Sequence, residues 1–214
     1  MELICHDVSR IVYLTTMNRR EGGAFLPDIA QKVIQKYSFV KYPNLDELQN
    51  EIFAFNVGRF RDFQIDELKV YNDGVIVTSK CSTEILNEFL DELLGWLKSD
   101  FGYCEITIPK PETHFESRLV VKTDKDIASL LSPPKRVTNL IEQTLAKNTE
   151  AEYQATGISF ETDSQGLTKR RRPGRFGLER RVGVPFGTNT YYSVAPLTST
   201  DHLMLLDGLE GLAG

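Results

Sequence analysis

Cysteine, histidine and tryptophan are scarce in this chain, with three Cys, three His and one Trp among 214 residues. Cys5, Cys81 and Cys104 are odd in number and far apart, with no CxxC spacing. That excludes a disulfide framework and a local zinc-binding run. A chain of this size needs no covalent staples, so the three read as free, buried structural thiols in a reducing compartment. His6, His114 and His202 form no HxxxH pair.

Long apolar runs are missing as well. The longest, such as Val75–Val77 and Leu203–Leu206, fall far short of the roughly 18 residues that span a bilayer. The opening "MELICHDVSRIVYLTT" is interrupted by Glu2, His6, Asp7 and Arg10, which does not fit a signal peptide and predicts a cytoplasmic protein. Nor is there a GxGxxG, a GxxxxGK[ST], a GxSxG or an HExxH. These absences leave no catalytic, metal-binding or cofactor-binding residue to name. The glycine pair in "EGGAF" (residues 21–25) reads as a flexible loop ahead of a helix.

What is present is ordinary globular material, 41% hydrophobic and 26% charged. "RIVYLTT" (10–16) reads as a strand, and Ile29, Val33, Ile34 and Tyr37 recur at helical spacing after Pro27. Asn44 is placed to cap a second helix, with Leu45, Leu48 and Ile52 facing inward. The clearest local signal is residues 63–82, two β-rich runs around Asn72-Asp73-Gly74, a hairpin in which the glycine takes a positive φ. Ser82 and Thr83 then cap a helix with a stripe from Ile85 to Leu97, and Gly102 stops it. "YCEITIP" and residues 115–123 read as strands. Ser132-Pro133-Pro134 opens a helix whose buried stripe is Val137, Leu140, Ile141 and Leu145. Residues 153–162 read as a strand, and residues 181–197 as a hairpin turning near Gly187–Asn189. A short final helix carries Leu203, Leu206 and Leu209.

The expected fold class is α+β, an antiparallel sheet with helices packed on it. The domain expected is single, 1–214, with 1–62 a strand-plus-helix portion and 63–214 the main sheet and helix core. One echo stands out: a hairpin, then Ser82-Thr83-Glu84 and a Leu-rich helix; later a hairpin, then Ser199-Thr200-Asp201 and another. Two strand–turn–strand–helix units explain it, and so does convergence on good capping chemistry.

Three clusters carry candidate chemistry. "STDHL" (199–203) holds Ser, Asp and His, but triads assemble from distant segments, and the run matches a helix start. Glu112, His114 and Glu116 share a face if their strand begins early, as solvated residues or as an acid–base group. The third is "TKRRRPGRFGLERR", residues 168–181, where Lys169, Arg170, Arg171, Arg172, Arg175, Arg180 and Arg181 face only Glu179. The segment is net +6 in a chain of net −5, so the remaining residues sum to −11. Four consecutive cations before Pro173-Gly174 predict an exposed loop. Guanidinium forks suit phosphates, and Phe176 suits stacking on a base. The acidic remainder repels a polyanion and favours carboxylates as the loop's target, for example those at Glu84, Glu88, Asp91 and Glu92.

The apolar tail "LMLLDGLEGLAG" contains Gly208, Gly211 and Gly214, a poor autonomous helix that must dock on its own domain or on a neighbour. Together these features predict a non-enzymatic intracellular binding subunit of a protein assembly. Its partner is another protein or a second copy of itself, with no membrane involved. The alternatives are a nucleic-acid-binding module using residues 169–181 and an enzyme with a dispersed site near His114 or His202.

Overall fold

A computed structural model of the protein describes residues 1–19, 26–50, 52–106, 111–127, 135–145, 153–163 and 173–213. In chain order the elements are β1 (Glu2–Leu14), β2 (Thr16–Arg19), α1 (Leu26–Tyr37), β3 (Ile52–Phe60), β4 (Phe63–Tyr71), β5 (Gly74–Ser79) and α2 (Thr83–Phe101). They continue with β6 (Tyr103–Ile106), β7 (Glu112–Lys122), α3 (Lys135–Leu145), β8 (Gly157–Phe160), β9 (Phe176–Arg180), β10 (Thr190–Ala195) and α4 (Ser199–Leu212). Eight strands form one antiparallel sheet in the order β3-β4-β5-β1-β7-β10-β9-β8, and β2 pairs with β6. The fold is α+β.

The chain divides into two compact units. The N-terminal unit comprises His6–Ser117 and Leu197–Thr200; the C-terminal unit comprises Met1–Cys5, Arg118–Pro196 and Asp201–Gly214.

In the N-terminal unit, local signals and packing agree. The β4–β5 hairpin turns at Asn72-Asp73, and Gly74 adopts φ 156°. A Cβ there would come within 2.3 Å of the Tyr13 carbonyl oxygen, so only glycine fits. Ser82 Oγ accepts the Ile85 N–H at 3.4 Å to start α2, and Gly102 ends it at φ 66°. Leu86, Phe89, Leu90 and Leu93 of α2 join Ile29, Val33 and Tyr37 of α1 in one buried cluster with Ile11, Phe55, Ile65, Leu68 and Val77 from the sheet. The Tyr37 ring meets Phe89 edge-on at 4.9 Å.

The helix expected after Asn44 is only a single 3₁₀ turn, Glu47–Gln49. Its start is a capping box: Asn44 Oδ1 accepts the Glu47 N–H at 2.9 Å, and the Asn44 N–H donates to Glu47 Oε2 at 2.8 Å. Leu48 is buried as expected, but Leu45 and Ile52 are exposed. Ile52 belongs to β3, because residues 52–60 find a full-length partner in β4. Pairing overrides the local helical spacing.

The C-terminal unit has its own core of Leu119, Val121, Ile127, Leu178, Tyr191 and Leu206. Its hairpin is not the one expected over 181–197. The first strand, β9, lies inside the basic segment and pairs with β10. Residues 181–189 form the connection, closed by Asn189 in the left-handed region at φ 46°. Arginines drew the loop assignment, whereas Leu178 facing the core and pairing with β10 make 176–180 a strand. The strand expected over 153–162 is confined to β8. In α3 the expected inward stripe is not met at Val137 and Leu140, which are 57% and 64% exposed, whereas Ile141 is half-buried and the side chain of Leu145 lies outside the description. Ser132-Pro133-Pro134 lies outside the described residues.

The two halves of the chain repeat one plan: strand, helix, three antiparallel strands, helix. β1-α1-β3-β4-β5-α2 is followed by β7-α3-β8-β9-β10-α4. Once β1 and β7 are aligned, their sequences coincide as well. His6, Ser9, Arg10, Val12 and Thr15 match His114, Ser117, Arg118, Val120 and Thr123 at one constant offset. Ser9 and Ser117 are both fully buried, as are Ile11 and Leu119, and Thr15 and Thr123 are both buried.

Candidate functional site

Of the seven cations singled out in the sequence, Lys169, Arg170, Arg171 and Arg172 lie outside the described residues. Arg175 is exposed just before β9, and Arg181 is exposed just after it. Arg180 differs. At 7% exposure it points into the C-terminal unit. Its Nη2 is 2.6 Å from Asp126 Oδ1 and its Nη1 donates to the Phe186 carbonyl at 2.8 Å. The guanidinium lies 4.8 Å from the Phe186 ring centre and 5.5 Å from that of Tyr191. Tyr191 Oη completes the lock, donating to Asp126 at 3.3 Å and accepting the Ile127 N–H at 3.1 Å. The only sequence signal for this was the position of Arg180, two residues beyond Leu178 and on the same face of the strand.

The acidic face of α2 is largely engaged within its own unit. Glu88 pairs with Arg61, and Glu92 pairs with Lys36 at 3.0 Å and accepts from Tyr37 Oη at 3.2 Å. Asp91 accepts from Asn87 at 3.0 Å. Burial pushes the Glu84 carboxyl up, but hydrogen bonds from Thr200 and from its own backbone N–H outweigh that and hold it below its usual range.

"STDHL" resolves into two separate arrangements. At the helix start, Ser199 Oγ accepts the Thr83 N–H at 3.0 Å, while the Ser199 N–H donates to Thr83 Oγ1 at 2.6 Å. Each hydroxyl caps the other helix. His202, fully buried, lies with Nε2 2.8 Å from Ser193 Oγ, and Ser193 also donates to the Gly177 carbonyl at 2.9 Å. A carbonyl only accepts, so the serine proton goes to Gly177 and His202 donates to the serine. That is the reverse of the transfer a general base performs on a nucleophile.

β7 begins early enough to put Glu112, His114 and Glu116 on one face. His114 Nε2 is 3.6 Å from Glu112 Oε2, and Glu116 pairs with Arg10 at 3.5 Å. Cys81 is buried, which pushes its thiol up, whereas Cys5 is exposed, contrary to the buried reading. The side chain of Cys104 is outside the description. Among the described residues no group of three or more His, Cys, Asp and Glu side chains is placed to hold a metal ion. None of the described helices is long and apolar enough to cross a membrane.

The surface feature that sequence reasoning caught only in part is α4. Despite Gly208 and Gly211 it runs unbroken to Leu212. Leu206 is buried in the C-terminal core, which docks the helix on its own unit. The opposite side shows Met204 at 67%, Leu205 at 39% and Leu212 at 71% exposure. At 100° per residue these three and both glycines fall within about 120° of the helix circumference, an arc they share with the exposed Asp201. A Cβ at either glycine would meet nothing within 4 Å.

The fold and this surface together define an antiparallel α+β protein with an apolar helix face on its C-terminal unit. No protein-family model matches the chain, and no curated protein matches it significantly.

Proposed function

We propose that the protein is a non-enzymatic cytoplasmic binding subunit of a protein assembly. It meets a protein partner or a second copy of itself through the outer face of α4, with the basic segment as a second, charged contact. The observation that carries this reading is the exposure of Met204, Leu205 and Leu212 on one helix face. Single exposed apolar residues need no explanation, but three on one face beside two bare glycines offer a partner both apolar area and close backbone approach. Gly208 and Gly211 weaken the isolated helix, by about 1 kcal/mol each relative to Ala. Their own surroundings do not require them, since open space lies beyond both. Arg175 and Arg181 remain exposed for carboxylates, whereas Arg180 is used internally.

Light scattering of the purified protein at low and high salt, together with an inventory of what co-purifies, tests the reading. Met204→Glu with Leu205→Glu is expected to abolish whatever association the wild type shows. A wild type that is monomeric at high concentration and carries no partner from its own cell would overturn it. Nucleic acid that co-purifies and is lost when Arg170, Arg171 and Arg172 become Glu would replace it with the nucleic-acid reading.

A further inference from the structure

The repeat that aligns β1 with β7 extends to the helices. The constant offset that pairs His6 with His114 also pairs Ile29, Val33 and Tyr37 of α1 with Val137, Ile141 and Leu145 of α3. A second constant offset, from Thr83 to Ser199, sets Leu90, Asp91, Leu93 and Gly95 of α2 against the identical Leu206, Asp207, Leu209 and Gly211 of α4. Leu90 and Leu206 are both buried, so α2 and α4 turn the same side to their own cores.

What covers their other side differs. In the first half α1 packs on α2. The Tyr37 ring meets Phe89 at 4.9 Å, and its Oη donates to Glu92 at 3.2 Å. Lys36 pairs with Glu92 at 3.0 Å and lies 5.3 Å from the Trp96 ring centre. The residues of α4 that match Phe89, Glu92 and Trp96 are Leu205, Gly208 and Leu212, which belong to the bare face. On α3, Thr144 stands in the place of Lys36. Lys32, over the Phe101 ring at 5.0 Å, is matched by Leu140. The two surfaces have changed together: Lys36 against Glu92 becomes Thr144 against Gly208, and neither helix keeps a charge that the other has lost. A charge left on one side alone would be buried unpaired in such a contact.

Within one chain this second contact is not made. Leu140 is 64% exposed on α3 while Met204, Leu205 and Leu212 are exposed on α4.

We infer that the α4 face is covered by α3 of a second copy of this chain, two copies exchanging the contact reciprocally. This rests on the reading of α4 as the binding face and names its partner. A twofold exchange makes the contact twice and closes the assembly at a dimer. Thr144 of each copy then meets Gly208 of the other, and Leu140 gains the cover it lacks.

The test restores the first-half ion pair across the second-half contact. Thr144→Lys or Gly208→Glu alone leaves an unpaired charge there and is expected to weaken the dimer about tenfold in sedimentation equilibrium of the full-length protein. Both positions are exposed, so neither change threatens the fold. Both changes in one chain, or the two single variants mixed, are expected to recover to within about threefold of wild type. Thr144→Cys and Leu212→Cys chains, mixed and treated with a short bismaleimide, are expected to give a covalent dimer joined at those residues, identified by peptide mass. A double charge variant no stronger than the singles overturns the proposal. So does a link that forms only within a chain carrying both cysteines, which would assign α3 to its own α4. A dimer that the charge variants leave unchanged but Met204→Glu with Leu205→Glu dissolves removes α3 and keeps α4 as the binding face. A wild type that stays monomeric and carries no partner removes both.

Discussion

The two halves of the chain follow one plan with different thrift. In the first, β3 and β4 have nine residues each; in the second, β8 and β9 have four and five. Ile29 and Val33 of α1 are buried, whereas Val137 and Leu140 of α3 stand exposed. α2 turns an apolar stripe inward and charges outward, while α4 exposes Met204, Leu205 and Leu212 beside Asp201 and Asp207. Both halves leave apolar residues at the surface, such as Val40, Leu45 and Ile52 in the first and Met204, Leu205 and Leu212 in the second. Among the described residues, however, only the second half carries them on its helices. The proposed binding role of the C-terminal unit rests on that difference in its helices.

The contrast is most sharply broken in the core. Phe89, fully buried between Tyr37 and Phe60, anchors the N-terminal cluster. Phe89→Ala is expected to cost about 3–5 kcal/mol in urea unfolding, the ordinary loss for a deleted buried ring. A loss below that range would show that the first half is not the tightly packed one.

Within the basic segment, Arg180 and Arg181 are neighbours with opposite fates. Arg180→Ala removes a buried ion pair, but Asp126 is half exposed and can recover water. The expected cost is therefore about 2 kcal/mol rather than that of a fully buried pair. Arg181→Ala is expected to stay within about 0.5 kcal/mol. Equal effects in chemical denaturation would remove the distinction between locked and free cations.

The reciprocal caps come next. Ser199→Ala strips the Thr83 N–H of its acceptor and is expected to cost about 1 kcal/mol, with Ser199→Thr close to neutral. Thermal melts of the two variants separate a lost cap from a lost side-chain volume.

The smallest effect is in pH. Burial lowers the His6 pKa, against an opposing pull from Glu84, and that of Glu84 is also lowered. In both cases the unfolded chain binds the proton more tightly, so stability is fully present above the unfolded pKa and falls as pH drops through the folded one. For His6 the loss begins below about pH 6.5, and for Glu84 below about pH 4.5. His6→Gln is expected to flatten the first part of an unfolding series from pH 7 to pH 5; an unchanged slope would assign it to other groups.

How much of this was legible follows the range of each interaction. The β4–β5 hairpin and α2 were readable because turn, cap, stripe and stop are all written within forty or so residues of chain, with Gly74, Ser82 and Gly102 as punctuation. The strand inside the basic segment was not. Its arginines read as solvent-seeking, and the partner that turns Arg180 inward, Asp126, is 54 residues away. Ser82 and Ser199 were visible at helix starts, but nothing local says that Thr83 and Ser199 cap each other across 116 residues. The repeat was audible only as its second part; its first, His6–Thr15 against His114–Thr123, emerges once the boundaries of β1 and β7 are known. The apolar tail was recognised, but which of its faces stays bare depends on the core beneath Leu206.

The most direct test of a bare binding face on α4 is the double variant Gly208→Ala, Gly211→Ala. Added methyl groups there meet open space and raise helix propensity. The account predicts a higher Tm than wild type together with loss of the association seen by light scattering or co-purification. A higher Tm with association unchanged would contradict it.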